Sequence, residues 1–137
     1  MAALCVMPIP SGSSIKLRNQ DAEWHFMWIG FDLDDCFDSF RITIIQGTAE
    51  ERYELGPCVV WELRRITRFF ESKTLEDDVG GGFRSPDPRY YEVHRRGGHY
   101  ELMLRFEGLG LQKQFALQDP QVVLDRKFLD AYEGREA

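Results

Sequence analysis

The sequence from residue 89 to residue 107 reads RYYEVHRRGGHYELMLRFE, in which two alternating segments flank a Gly-Gly pair. Glycine adopts the positive φ angles that a two-residue hairpin turn requires, so we place the turn at Gly97 and Gly98. The turn sets Arg96 opposite His99, and the two segments then pair as antiparallel strands.

This register divides the hairpin into two faces. Val93 then lies opposite Leu102, and Tyr91 opposite Leu104, on an apolar face that we expect to be buried. That face is completed by Tyr100 and Phe106. The other face carries His94, Arg96, His99, Glu101, Met103 and Arg105. One buried and one wet face is typical of an antiparallel sheet.

Composition limits the class of protein. A chain of 137 residues fits one domain, and 43% hydrophobic with 29% charged residues is ordinary for a globular protein. The 13% aromatic content predicts a core built from large rings. A net charge of −6 argues against a general nucleic-acid binder and favours a basic partner.

Cysteine usage and the N-terminal segment predict a cytoplasmic protein. Cys5, Cys36 and Cys58 form no C-x-x-C unit and are odd in number, so reduced thiols are expected. Pro8 and Pro10 interrupt the first apolar run, which lacks the basic residues of a signal peptide. No segment approaches the roughly 20 apolar residues of a membrane span, so no membrane association is expected.

Punctuation by Gly, Pro and Asp divides the rest of the chain. Residues 1–13 predict a flexible lead-in and residues 14–137 a single domain. Strands are expected at residues 14–18, 23–31, 40–45 and 111–117, with a turn over 32–38 and a flexible glycine-rich loop over 74–88.

Two helices are predicted. Gly56-Pro57 is expected to open the first, over residues 58–73, where apolar residues recur at helical spacing: Val59, Leu63, Ile66 and Phe70. Asp119 as N-cap and Pro120 after it predict a second helix to about residue 132, with the stripe Leu124, Phe128 and Tyr132. The order favours an α+β fold: a largely antiparallel sheet of about six strands, with the mid-chain amphipathic helix and the C-terminal helix packed on one face.

Three hairpin residues, His94, His99 and Glu101, carry potential ligand groups on the polar face. Imidazole and carboxylate are competent zinc ligands. Arg96 lies among them and would repel a cation, so the pattern favours a solvated or interaction face, and no structural metal is expected.

Aspartate concentrates in one loop, at Asp32, Asp34, Asp35 and Asp38. The spacing lacks the turn glycine and closing Glu of a calcium loop. Turn chemistry explains the residues. The sharper hypothesis is an acidic patch that docks a basic partner, helped by Glu50, Glu51, Glu54, Glu76, Asp77 and Asp78.

Other motifs are weak. Gly80-Gly81-Gly82 lacks the Lys-Ser/Thr of a phosphate-binding loop and is flanked by acids, which favours a flexible linker. Cys58 at a helix start would favour a thiolate, although packing is the plainer interpretation. We therefore expect no cofactor and no catalytic residue.

The layout resembles the WapI-type immunity proteins of bacterial polymorphic toxin systems. The resemblance is carried by the hairpin strand from Gly98 to Phe106, GHYELMLRF, and by the segment FALQD at residues 115–119. It covers about half the chain. It implies a non-enzymatic cytosolic inhibitor that binds a cognate toxin domain and blocks its active site.

A second class of function stays open: a small-molecule-binding domain, or an enzyme whose sequence carries only weak signals of its activity. Its pocket would lie between sheet and helix and be lined by Trp24, Trp28 and Tyr90 or Tyr91. A subunit of a larger complex is a third possibility, and the sequence does not define the oligomeric state.

Overall fold

A computed structural model describes residues 14–32, 37–82, 90–106 and 111–126. The elements are β1 (Ser14–Arg18), β2 (Ala22–Asp32), β3 (Phe37–Gln46), β4 (Ala49–Val59), α1 (Val60–Glu71), β5 (Glu76–Gly82), β6 (Tyr90–Arg96), β7 (His99–Phe106), β8 (Leu111–Gln118) and β9 (Gln121–Asp125). The first sheet has the order β4-β3-β2-β1-β9 and the second the order β5-β6-β7-β8. All paired strands are antiparallel. The predicted lead-in at residues 1–13 lies outside the described residues.

The β6–β7 hairpin has the predicted register. Arg96 pairs with His99, Val93 with Leu102, and Tyr91 with Leu104. The predicted apolar face is buried, with Phe106 partly so. Alternation over both strands is therefore confirmed as the signal that assigns each side chain to a face.

The turn differs from the predicted one in detail. Gly97 has a φ of 61°, whereas Gly98 lies outside the positive region. Gly97 is therefore the residue of the pair whose backbone requires the conformational freedom of glycine. A Cβ at Gly98 would overlap the carboxylate of Asp119, an exposed side-chain group that can rotate away.

One core joins both sheets and the helix, and aromatic rings connect its parts. The Phe40 ring of the first sheet meets the Tyr91 ring of the second edge-on, with centroids 5.4 Å apart. Phe70 of α1 lies 5.6 Å from Phe26 and 6.1 Å from Tyr100, so the helix packs against both sheets. The helical stripe is confirmed at Ile66 and Phe70, both buried.

A buried arginine fastens the end of the helix. Arg95 occupies an inward position of β6 and is 3% exposed. Its guanidinium donates to the Phe69 carbonyl at 2.9 Å, and its Nε donates to the Thr74 carbonyl at 2.9 Å. The guanidinium also lies 4.6 Å from the centroid of the Phe69 ring. These contacts hold the last turn of α1 and the following loop against the second sheet.

The predicted single sheet of about six strands is wrong. The chain forms two sheets instead. It leaves the second sheet at Asp119, whose φ is 47°, and strand β9 then pairs with β1 of the first sheet. The largely antiparallel architecture with a mid-chain helix is confirmed.

The first helix begins later than predicted. Cys58 pairs with Asp38 and Val59 with Phe37, so Gly56 and Pro57 belong to β4, which the sequence analysis missed. Proline is tolerated there because β4 borders its sheet. Cys58 therefore lies in a strand, two residues before α1 begins.

The predicted flexible loop over residues 74–88 is wrong for its first half. Glu76–Gly82 is strand β5, and Gly80 pairs with Glu92. A Cβ at Gly80 would lie 2.7 Å from the Tyr91 carbonyl oxygen. Gly80 therefore allows close approach to β6, and the three glycines belong to a strand rather than to a linker.

The predicted C-terminal helix is wrong over the described residues. Asp119 and Pro120 precede strand β9, in which Leu124 pairs with Ile15. Val122 and Leu124 are partly buried while Gln121 and Val123 are exposed, which is the two-residue period of a strand. Phe128 and Tyr132 lie outside the described residues.

Candidate functional site on the outer face of the second sheet

The outer face of the second sheet carries the hairpin residues singled out in the sequence, His94, His99 and Glu101. We call this surface the histidine face; it consists of the outward residues of β5 to β8. Strand register forms its central rows: Asp78, His94, Glu101 and Ala116; Gly80, Glu92, Met103 and Gln114; Glu76, Arg96, His99 and Gln118. The face exists because polar residues alternate with the buried residues of the core.

His94 lies between two carboxylates. Its Nδ1 is 2.6 Å from an oxygen of Asp78, and its Nε2 is 2.9 Å from an oxygen of Glu92. A carboxylate accepts hydrogen bonds, so these two contacts favour the imidazolium, in which both ring nitrogens donate. The bond to Asp78 is the main reason that the pKa of His94 is raised.

Two further groups complete this cluster. Arg96 donates to the same Asp78 carboxylate at 2.9 Å, and the Tyr90 hydroxyl donates to Glu92 at 2.8 Å. The bond from His94, followed by that from Arg96, holds the pKa of Asp78 below its usual value. The row is thus ordered by charge-assisted hydrogen bonds.

His99 forms a second cluster on the same face. Its Nδ1 is 2.9 Å from Oε1 of Gln118, and its Nε2 is 3.2 Å from an oxygen of Glu101. The bond to Gln118, followed by that to Glu101, raises the pKa of His99. Both histidines therefore favour the charged form.

The structure does not bring the proposed zinc ligands together. His94 and Glu101 are cross-strand partners, as predicted, but the His94 ring bonds Asp78 and Glu92 instead. Over residues 14–32, 37–82, 90–106 and 111–126, no group of three or more His, Cys, Asp or Glu residues is arranged to hold a metal ion.

The acidic loop is described only at its margins. Asp32 ends β2, where it pairs with Phe37, and Asp38 lies in β3, opposite Phe31. Asp34 and Asp35 lie outside the described residues. The predicted turn over residues 32–38 is thus shorter than expected, since both of its ends belong to strands.

Sequence reasoning did not place three participants in the site: Asp78, which it assigned to the acidic patch, and Glu92 and Gln118. Asp78 was assigned to a loop, and β5 offers little apolar alternation by which to find it. Glu92 and Gln118 could have been predicted. Each continues the alternation of a predicted strand, at a position that this alternation assigns to the outward face.

Two shallow depressions lie beside these clusters. One, with a volume of about 350 Å³, is lined by His94, Glu101, Met103 and Gln114 among others. The second, of about 390 Å³, lies by His99, Gln118, Asn19 and Asp21. Ala116 lines both, so its small side chain marks a low point between them.

The aromatic residues proposed for a small-molecule pocket occupy different places. Trp24 and Tyr91 are fully buried in the core, whereas Tyr90 lies on the histidine face and bonds Glu92. The side chain of Trp28 is outside the description. These positions give no support to a pocket shared by the three rings.

In the part of the chain that the structure describes, no helix is long and apolar enough to cross a membrane. Comparison of the chain with protein-family models, with curated proteins and with solved structures produced no match.

Proposed function

We propose that this protein is a non-enzymatic, cytoplasmic immunity protein that binds a cognate bacterial toxin domain and neutralises it. The single observation that supports this proposal most is that the side chains of the histidine face are held in fixed positions. Its charged groups are held by bonds to one another on a four-stranded sheet, so little side-chain entropy is lost when a partner binds.

The protonation of His94 favours binding over catalysis. A general base needs a free ring nitrogen, whereas both nitrogens of His94 donate to carboxylates. The same bonds fix the ring in one orientation, which suits a surface that recognises a partner by electrostatic complementarity. The net charge of −6 favours a basic toxin domain.

Growth rescue tests this function. A toxin domain sought among the neighbouring genes is expressed in a bacterial host with and without this protein, and the purified pair is examined for a stable complex. Rescue and a stoichiometric complex are expected. Turnover of a substrate by the purified protein, or toxicity that this protein does not relieve, would contradict the proposal.

Paired variants test the contribution of the histidine face. The double variant His94→Ala with Glu101→Ala should raise the Kd about tenfold or more, since it removes two groups of an ordered polar surface. The control is Glu71→Ala with Lys73→Ala, two exposed residues of opposite charge at the end of α1 and just after it, outside the histidine face and the acidic patch. The control should bind like the unaltered protein.

The acidic loop, Asp32 to Asp38, should increase the association rate with the toxin domain. Replacing Asp32, Asp34, Asp35 and Asp38 by Asn should slow association with the toxin domain, most visibly at low salt, and change dissociation less. Stopped-flow or surface-based kinetics at two salt concentrations measure this. An unchanged association rate would remove the loop from the interface.

A further inference from the structure

We propose that the edge of β8 that no described strand covers is the docking edge for the partner: an extended segment of the toxin pairs with Gln112, Gln114 and Ala116 and lays a basic side chain across Ala116 onto Glu101. This inference rests on the proposed function, because it states how the partner is held. It adds the mode of binding and the chemistry of the bound segment.

The hydrogen-bond pattern shows which groups of β8 face this edge. The Asp119 amide donates to the Gly98 carbonyl at 2.7 Å, which makes Gly98 and Asp119 a hydrogen-bonded pair. Such pairs alternate along an antiparallel ladder, so the odd-numbered residues of β8 bond to β7. The even-numbered residues direct their N–H and C=O groups away from β7: Gln112, Gln114, Ala116 and Gln118.

An independent contact agrees with this assignment. Asn19 Nδ2, in the turn between β1 and β2, donates to the Gln118 carbonyl at 3.0 Å. That carbonyl is therefore directed away from β7. Among the described strands, β7 is the one neighbour of β8, which leaves Gln112, Gln114 and Ala116 to form a short free ladder.

The other three sheet edges carry protection that β8 lacks. On β4 charged residues cluster at Glu50, Glu51, Arg52 and Glu54. On β5 the helix residue Arg65 donates to the Gly80 carbonyl. β9 has only five residues. Charge, cover and shortness are the usual means by which proteins protect a sheet edge from pairing.

The outward residues of β8 are neutral. They are Gln112, Gln114, Ala116 and Gln118, all exposed. Its one charged residue, Lys113, points to the other face and donates to Glu51 at 2.8 Å and to the Tyr53 hydroxyl at 2.9 Å. An eight-residue edge of this composition is open to strand addition.

Register defines the chemistry of the added segment. Glu101 lies directly opposite Ala116, and its side chain is 61% exposed. Strands lie about 4.8 Å apart, so a strand added to β8 runs about 10 Å from β7. A Lys or Arg of the added strand, placed beside Ala116, can reach back over β8 to the Glu101 carboxylate, because both side chains are long. The Ala116 side chain is only a methyl group and does not obstruct this contact.

The inward side of the added segment should be apolar. Its side chains there would continue the layer that contains Phe115 and Leu117, both buried. The bound segment therefore alternates apolar and basic residues. A second copy of this chain does not fit, because two-fold pairing places an even-numbered β8 residue beside Ala116, and none of these is basic.

A peptide probe tests the proposal without the toxin. ¹⁵N-labelled protein is titrated with a short acetylated peptide of alternating valine and arginine, and with a matched peptide that has glutamate in place of arginine. The arginine peptide should slow hydrogen exchange at the amides of Gln112, Gln114 and Ala116. The glutamate peptide should bind about tenfold more weakly, because its carboxylates face Glu101.

Variants separate the backbone from the side-chain contribution. Gln114→Pro removes a donor that faces the free edge and should abolish protection, whereas Gln114→Ala keeps the donor and should bind normally. Glu101→Gln should make the two peptides bind about equally. If Gln114→Pro does not fold, Ala116→Leu replaces it, since it blocks the path to Glu101 and should likewise remove the preference for arginine.

Three results would overturn the proposal. They are equal binding of both peptides by the unaltered protein, protection absent at millimolar peptide, and protection of the edge amides that grows with protein concentration alone, which would assign the edge to a second copy. Growth rescue by Gln114→Pro equal to that of the unaltered protein would remove β8 from the toxin interface and leave the proposed function intact. Failure of the unaltered protein to rescue contradicts the proposed function itself.

Discussion

His94 illustrates how much a single side chain depends on its neighbours in the sheet. Its ring is held by Asp78 from β5 and by Glu92 from its own strand. The parity of the hairpin assigns His94 to the outer face, but only the placement of β5 explains its protonation. A residue's face is thus predictable from local sequence, whereas its chemistry depends on a strand distant in the chain.

Gly80 should be intolerant of any side chain. A Cβ there would lie 2.7 Å from the Tyr91 carbonyl oxygen, a main-chain atom that cannot move without separating β5 from β6. We expect Gly80→Ala to lower the free energy of unfolding by about 1–3 kcal/mol, measured by urea denaturation.

Gly97 provides the contrast to that substitution. Its φ is 61°, and a Cβ there would meet nothing within 4 Å. Gly97→Ala should cost about 1 kcal/mol from backbone strain, and Gly97→Asn less, because Asn tolerates the left-handed region. Gly80→Asn should be at least as destabilising as Gly80→Ala. Recovery by Asn at both positions would contradict the steric explanation for Gly80.

Among the elements, α1 depends on β6 for its C-terminal anchor. Arg95 donates to the main-chain carbonyls of Phe69 and Thr74 and is almost fully buried. Arg95→Met keeps a long apolar side chain but leaves those carbonyls without their donor. We expect a loss of about 2–4 kcal/mol in the free energy of unfolding.

Urea denaturation followed by circular dichroism measures this loss. Arg52→Met is the matched control, because the Arg52 side chain is 59% exposed, and it should change stability by less than about 0.5 kcal/mol. Equal effects of the two substitutions would show that Arg95 does not anchor the helix.

The elements that sequence analysis predicted are those with strong internal periodicity. The β6–β7 hairpin is confirmed because both strands alternate and a glycine turn separates them. β5 and β9 were missed because pairing with other strands defines them: Gly80 with Glu92, and Leu124 with Ile15. The Asp119-Pro120 signal for a helix start was outweighed by this pairing.

In the whole molecule, Phe70 holds the two sheets and the helix together. Its ring contacts Phe26 of the first sheet and Tyr100 of the second, and it is 7% exposed. Phe70→Ala should lower the free energy of unfolding by about 3–5 kcal/mol, from lost apolar burial and the cavity left behind.

The control for that substitution is Leu111→Ala. Leu111 is 53% exposed, so its truncation should cost less than about 0.5 kcal/mol. Both variants are compared by urea denaturation with intrinsic fluorescence. A small effect at Phe70 would contradict its role as the link between the sheets.

The stability of the whole molecule should respond to pH through its histidines, among which His94 and His99 act in one direction and His25 in the other. The pKa of His94 is raised, chiefly by its bond to Asp78, so the folded state binds more protons than the unfolded state near neutral pH. Its contribution is complete below the unfolded value of about 6.5 and is lost as pH rises through the folded pKa. His25 behaves oppositely, because burial, followed by Lys16, lowers its pKa. Its contribution is complete above about pH 6.5 and is lost as pH falls through the folded pKa.

Substitution by Gln isolates each contribution to this pH dependence. His94→Gln should make the slope of the unfolding free energy against pH less negative above about pH 6.5, whereas His25→Gln should make that slope more negative below about pH 6.5. Urea midpoints at several pH values measure the two slopes against that of the unaltered protein. His25 is the matched control, because it is also an outward-facing strand histidine and differs in having no carboxylate bonded to its Nε2 among the described residues. Slopes that change in the same direction for both variants would contradict the assignment of His94 as an imidazolium held by Asp78 and Glu92.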